Sequence, residues 1–235
     1  MLRARKNKIA GRKTSLEDQA LGPVESADEM NLKLADVVPK LSRIDGYRFA
    51  FQQAFPGEGI TLATVAKAIA TYERTVVSTT APFDRWIAGD EQAIGAAAKR
   101  GFVLFNTKAN CAACHSGWNL TDHGFHDVGL PDGDIGRGKF VPLTSMQHAF
   151  KTPTLRDVAR RAPYMHDGSL ADLNAVVEHY DKGGVARPSL SGEMRPLNLT
   201  AGEKNDLVAF MLTLTGDAEP VALPALAVPA QAPGF

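Results

Sequence analysis

Residues 106 to 120 read NTKANCAACHSGWNL, and they hold both cysteines of the 235-residue chain, Cys111 and Cys114, with His115 directly after the second. A Cys-x-x-Cys-His run suits covalent attachment of a c-type haem, because the thiols can form thioethers with the vinyl groups while the next imidazole meets the iron. Two other readings fit less well. A structural zinc centre wants four ligands, usually from two paired groups, and no second cysteine pair exists here. A redox Cys-x-x-Cys pair sits at a strand-to-helix junction, whereas the residues ahead of this motif carry helical periodicity. The motif therefore predicts an all-α, cytochrome c-like helical haem domain with long loops, built around one haem c that supplies much of its own apolar core.

The hydrophobic pattern agrees with that fold class. Val65, Ile69, Tyr72 and Val76 recur at helical spacing after Thr61, a good N-cap, so one face of this segment is expected to be buried. Ile94, Ala98, Phe102 and Phe105 predict a helix that runs into the haem motif with an aromatic face suited to covering a porphyrin. Near the other end, Thr200 and Glu203 form a capping box ahead of an apolar stripe at Leu207, Phe210, Met211 and Leu214, with Gly216 as the stop. Residues 116–153 and 181–198 are dense in Gly, Pro and Asp and read as loops. No internal repeat is visible, and no strand beyond short pieces.

Composition narrows the function class. The 26 basic and 26 acidic side chains cancel, which removes any case for a nucleic-acid partner or a polyanionic substrate. No run is long enough to span a membrane. The basic start MLRARKNKIAGRK is not followed by the apolar stretch of an export signal, although c-type haem is attached outside the bacterial cytoplasm. A periplasmic location is expected from the haem motif.

The iron's other face decides between electron transfer and catalysis. Candidate ligands are Met165, His166, His179, Tyr180 and the more distant His123, His126 and His148. In SLADLNAVVEHYDKGG, Ser169 and Asp172 read as a cap, and Leu173, Val176, Val177 and Tyr180 fall on one helical stripe. Tyr180 is thus expected on the buried side and His179 away from it. A core tyrosine with a local hydrogen bond would give the same spacing.

Taken together, NCAACHSGWN, FKTPTLRDVARRAPYMHDGSL and VVEHYDKGG resemble the C-terminal haem domain of the bacterial dihaem cytochrome c peroxidase/MauG family. GRKTSLEDQALGPVESADEM and YERTVVSTTAPFDRWIAGD resemble the same family upstream, so that the likeness runs from about Gly11 to Gly216. It implies three segments: 1–80, a remnant of the peroxidatic-haem domain with its distal-pocket stretch; 81–218, the cytochrome c-like haem domain; and 219–235, a disordered Pro/Ala-rich tail. In that family the distal ligand of the second haem follows the His of the Pro-Tyr-Met-His-Asp-Gly motif by fourteen residues. Counting from His166, itself one of the expected cofactor-binding residues, gives Tyr180. Classical peroxidases have Met at that position and the MauG branch has Tyr, with Met165 as the alternative ligand here. A phenolate is a hard anionic donor that favours ferric and higher iron states.

The resemblance also implies that Gln19, Pro23 and Glu29 belong to the distal pocket over a peroxide-binding haem, with Glu29 as acid/base and Gln19 placing the peroxide. Read without it, Glu29 would be an ordinary surface carboxylate. Arg161 and Pro163 match positions whose backbone carbonyls bind Ca²⁺. The implied activity is reduction of hydrogen peroxide with electrons from a small donor protein, a cytochrome c or cupredoxin, or from a protein substrate. Two departures stand out. The chain has one haem motif where the family has two, and Ile9-Ala10 replaces the Trp-Asp ahead of Gly11-Arg12. These predict a truncated form that retains the electron-transfer haem. The alternative is a monohaem electron-transfer cytochrome without catalysis of its own.

Overall fold

In a computed structural model the described residues are 13–27, 29–217 and 225. Ile9, Ala10, Gly11 and Arg12 lie outside them, and so does the expected disordered tail apart from exposed Ala225. The chain divides into two compact units between Val77 and Ser78.

The first unit is a set of four helices: α1 (Leu16–Glu25), α2 (Leu34–Ser42), α3 (Asp45–Ala54) and α4 (Leu62–Thr75). Ser15 caps α1 by accepting from the Asp18 N–H, and Thr61 caps α4 in a reciprocal box with Thr64. Val24, Val37 and Val65 form its small core. The expected stripe on α4 is only partly correct. Val65 is buried, but Tyr72 is 48% exposed and Val76 63% exposed. The buried side of α4 is made of Thr64, Val65, Ala66 and Ala70, small residues that let α1 come close, and the helix has ended before Val76.

The second unit carries α5 (Pro82–Ile87), α6 (Ala96–Asn106), α7 (Leu173–Lys182) and α8 (Ala201–Leu212). Its only ladder among the described residues joins β1 (Phe125–His126) to β2 (Phe150–Lys151), antiparallel, with Phe125 opposite Lys151. The rest is loop and short 3₁₀ turns, as an all-α haem fold with long loops requires. No helix of the described residues is long and apolar enough to cross a membrane.

Helices α6 and α8 cross at close range. A Cβ on Gly101 would stand 1.9 Å from the Asp206 carbonyl oxygen, so only glycine permits this approach. Beside it Arg100 donates to both Asp206 carboxylate oxygens at 2.7 Å. Phe105 and Phe210 pack edge-on at 5.0 Å between centroids, and Phe102 lies 5.5 Å from Phe210 and 5.4 Å from Phe83. The aromatic face of α6 thus packs into the helix crossing, in a cluster that also touches Cys111 and Ala112. Ile94 is buried but precedes the helix, whose N-cap is Gly95.

The expected stripe is buried, Leu207, Phe210 and Met211 on α8 and Leu214 just beyond its end. The capping box of α8 is as expected, Thr200 with Glu203. The end of the helix is not. Thr213 is the C-cap, and Gly216 serves close packing, since a Cβ there would stand 2.8 Å from the Thr79 carbonyl oxygen. The cap of α7 is Asp172 alone, which accepts from the Ala175 N–H at 2.8 Å. Ser169 instead closes a turn on the Asp167 carboxylate.

Candidate haem-binding site

Helix α6 delivers the chain to the cysteine motif. After its C-cap at Thr107, Asn110 takes a left-handed conformation (φ 52°) and starts a 3₁₀ turn over Cys111–Ala113. His115 N–H then donates to the Cys111 carbonyl at 2.9 Å, so both thiols and the imidazole belong to one tight turn. Burial pushes the Cys111 thiol up to about 12, and it raises Cys114 too, helped by Asp122 and Glu193. Both are therefore protonated thiols at neutral pH, the opposite of the low-pKa sulfur that a redox pair needs.

His115 is prepared as a ligand. Its Nδ1 lies 3.0 Å from the Leu120 carbonyl oxygen, which can only accept, so Nδ1 carries the proton and the Nε2 lone pair is left for a metal. Burial also lowers the His115 pKa, which keeps the ring neutral. Leu120 aims its carbonyl from a left-handed backbone (φ 50°). The loop between is tied down by Arg156, a buried side chain that donates to the Trp118 carbonyl through Nε at 2.9 Å and Nη2 at 2.7 Å and to Asp84 at 2.6 Å. Nothing in the pattern of the sequence marks Arg156 for this role; it looks like one more basic residue in TLRDVARR.

Tyr180 lies within electrostatic reach of both thiols. Burial raises its pKa first, and the neighbouring Cys111 and Cys114 raise it further. Of the predicted stripe Leu173 and Val177 are buried, while Val176 and Tyr180 are half-buried, as is His179, which was expected to point away. The candidate histidines have contacts of their own. His166 is buried, stacked on Phe150 with 3.6 Å between centroids, and its Nε2 is 3.2 Å from Asp132. His179 Nε2 donates to the Val128 carbonyl at 2.8 Å. His126 pairs with Asp122 at 2.7 Å, His123 meets Lys151 at 3.0 Å, and His148 lies 3.1 Å from the Asp134 carbonyl. Met165 is half-buried at a left-handed turn (φ 69°).

In the first unit, Gln19 is buried on α1 together with Pro23. The Gln19 Oε1 and Glu29 Oε2 atoms are both buried with no hydrogen-bond partner among the described residues. Glu29 is thus half-buried and does not match the ordinary surface carboxylate of the residue-level reading. Arg161 follows the 3₁₀ turn Val158–Arg160, with its Nε turned to the Arg156 carbonyl at 3.2 Å, and Pro163 lies two residues on.

The sequence pattern of the family described as di-haem cytochrome c peroxidase matches residues 3–92, and that described as cytochrome c matches residues 98–215. A solved MauG-like protein associated with microbial copper homeostasis superposes with a TM-score of 0.76 and 32% identity, over 86% of this chain and 69% of its own. The chain belongs to the dihaem cytochrome c peroxidase/MauG family. Two methylamine utilization proteins MauG are similar to it: that of Methylophilus methylotrophus is 52% identical over 91% of this chain, and that of Methylorubrum extorquens 54% identical over 92%. The chain spans 65% and 62% of their respective lengths. Haem c is the cofactor of this family, and the turn at Cys111–His115 offers it two thiols and a neutral imidazole.

Proposed function

We propose that this chain is the part of a c-type haem oxidoreductase of the cytochrome c peroxidase/MauG type that retains the electron-transfer haem, the whole enzyme working in the periplasm on hydrogen peroxide. Electrons come from a small donor protein, a cytochrome c or cupredoxin, or from a protein substrate, two of them with two protons for each peroxide reduced to two waters. The observation that carries the reading is the turn at Cys111–His115, which brings two thiols and an imidazole oriented by the Leu120 carbonyl into one tight loop. Cys111 and Cys114 would hold one haem by thioethers, with His115 Nε2 and the Tyr180 oxygen, or Met165 in its place, as the groups offered to its iron. When bound, the haem supplies one-electron chemistry at an iron biased by a phenolate toward its oxidised states.

The protein's own groups do the rest. The Leu120 carbonyl orients His115, and Arg156 keeps the loop that carries Leu120 in place. A haem held by both side chains would pass electrons and leave no position for peroxide. Glu29 and Gln19, whose buried oxygens have no partner among the described residues, are suited to holding a peroxide and moving a proton between its oxygens. Calcium, where bound, would meet the backbone carbonyls of Arg161 and Pro163. Two oxygens are a fraction of the six to eight that calcium takes, and no step depends on it.

The test is the absorption spectrum of the ferric protein, matured in the periplasm behind an added signal peptide, before and after peroxide. A low-spin spectrum that peroxide leaves unchanged, and that Tyr180→Phe converts to an open site, is the expected result. A wild-type spectrum that shifts within the mixing time of peroxide would mean that Tyr180 does not close the iron. Protein with no covalently bound haem would end the reading altogether.

A further inference from the structure

The last turn of α7 is held by an unusual side chain for that task. The helix stops at Gly183 (φ 80°) and is followed by Gly184 (φ 70°), two successive left-handed glycines that offer little resistance to unwinding. One turn back, His179 reaches across to the segment after β1 and donates from Nε2 to the Val128 carbonyl at 2.8 Å. The carbonyl can only accept, so the proton sits on Nε2. Val185 N–H closes the same junction by donating to the Gly129 carbonyl at 2.9 Å. The two backbones meet so closely that a Cβ on Gly184 would stand 2.7 Å from the Val128 oxygen, and one on Gly129 would stand 2.6 Å from the Val185 nitrogen.

The acceptor is itself immobile. Asp127, only 1% exposed, precedes Val128. Its carboxylate takes Arg187 Nε at 2.7 Å, Ser189 Oγ at 2.7 Å and the Gly129 N–H at 2.8 Å. A hydrogen bond from His179 to this segment therefore fixes the rotation of α7 at its C-terminal end. Neighbouring residues project about 100° apart around a helix, so whatever sets His179 sets Tyr180. The rings of the two lie edge to face, 5.6 Å between centroids.

We propose that His179 is a positioning residue for Tyr180: its bond to Val128 clamps the last turn of α7 so that the phenol is held toward Cys111 and Cys114. The inference rests on the reading of Tyr180 as an iron ligand. A clamp of this kind acts on the balance between Tyr180 bound and Tyr180 released. Loss of one hydrogen bond shifts such a balance roughly fivefold.

The experiment is a cyanide titration of the ferric holoprotein, read by absorption and electron paramagnetic resonance, since cyanide has to displace Tyr180. His179→Leu is expected to bind cyanide roughly fivefold more tightly than wild type. His179→Gln, whose amide can still donate to Val128, is expected to return to within about twofold of wild type. A purely structural role would lower the melting temperature of His179→Leu and leave its cyanide affinity unchanged, which would overturn the proposal. Tyr180→Phe is the control. If it opens the site while His179→Leu binds cyanide as wild type does, the clamp is wrong and the ligand stands. If Tyr180→Phe leaves the spectrum and titration unaltered, the ligand reading fails and the clamp with it. Should His179→Leu not fold, His179→Gln is compared with His179→Asn, which is one methylene too short to reach the carbonyl; equal cyanide affinities in those two would overturn the clamp.

Discussion

At the scale of single residues, two aspartates, Asp127 and Asp122, tie down loops of the second unit. Asp127 holds Arg187, whose side chain is only 18% exposed, across 60 residues of sequence. Replacing it by alanine leaves a largely buried guanidinium without its counter-charge, which is expected to cost about 3–5 kcal/mol of unfolding free energy in urea. A loss below about 1 kcal/mol would show that water satisfies Arg187 as well as Asp127 does. Asp122 makes a pH prediction. Burial works against its charged form, but hydrogen bonds from His126, Thr152 and the Gly124 N–H outweigh that and hold it at about 2. A carboxyl whose pKa is lower folded than unfolded stabilises fully above its unfolded value. It loses that contribution as pH falls through the folded value, so here the window is from about 4 down to about 2. Asp122→Asn should therefore lie below wild type in stability at pH 5 and converge on it at pH 2. Parallel stability curves across that range would count against the assignment. Neither aspartate stands out in the sequence, where each is one acid in a loop dense in Asp and Gly: Asp127 is distinguished by burial and by partners about 60 residues on, and Asp122 by the local turn that brings Gly124 and His126 onto its carboxylate.

At the scale of elements, the crossing of α6 and α8 reverses an ordinary rule. Alanine outranks glycine by up to about 1 kcal/mol in a free helix. At Gly101 the new methyl group would meet the Asp206 carbonyl of α8, so Gly101→Ala is expected to cost about 3 kcal/mol and to separate the two helices. Equal or greater stability in chemical denaturation would mean that the crossing can relax. Thr200→Ala removes the cap of α8 and should cost about 1 kcal/mol. These elements also show what the sequence could tell. The stripe of α8 and the caps at Thr61 and Thr200 were legible because they depend on neighbours within one helix. The buried face of α4 was not, because it is built from Ala66 and Ala70, which packing selects for smallness. The destination of the Phe102 and Phe105 rings was hidden for another reason: periodicity says that a face is buried and is silent on what buries it. The attachment turn was legible from two cysteines and a histidine. The carbonyl that orients His115 was not, since it depends on a left-handed leucine.

At the scale of the whole molecule, the two units have separate cores, one around Val24, Val37 and Val65 and one around Phe105, Leu207 and Phe210. The stretch between them offers a protease what it needs. Val76 and Val77 are 63% and 68% exposed, and residues 76–81 belong to no helix or strand. A protease that cuts before exposed aliphatic residues, such as thermolysin, should therefore nick the native holoprotein at Val76 or Val77 before it cuts within α6, α7 or α8. Mass spectrometry should find a product that starts there, contains Cys111 and Cys114, and stains for covalent haem, with its visible spectrum unchanged from the intact chain. An unchanged spectrum is the informative part. It requires that His115 and the opposite ligand both come from residues after 77, as His115 and Tyr180 do. First cleavage inside 96–212 would mean that the helices around the attachment turn are less stable than the connection. Correct cleavage with an altered spectrum would mean that a group from the first unit reaches this haem, and Tyr180 would then lose its place as the closing ligand.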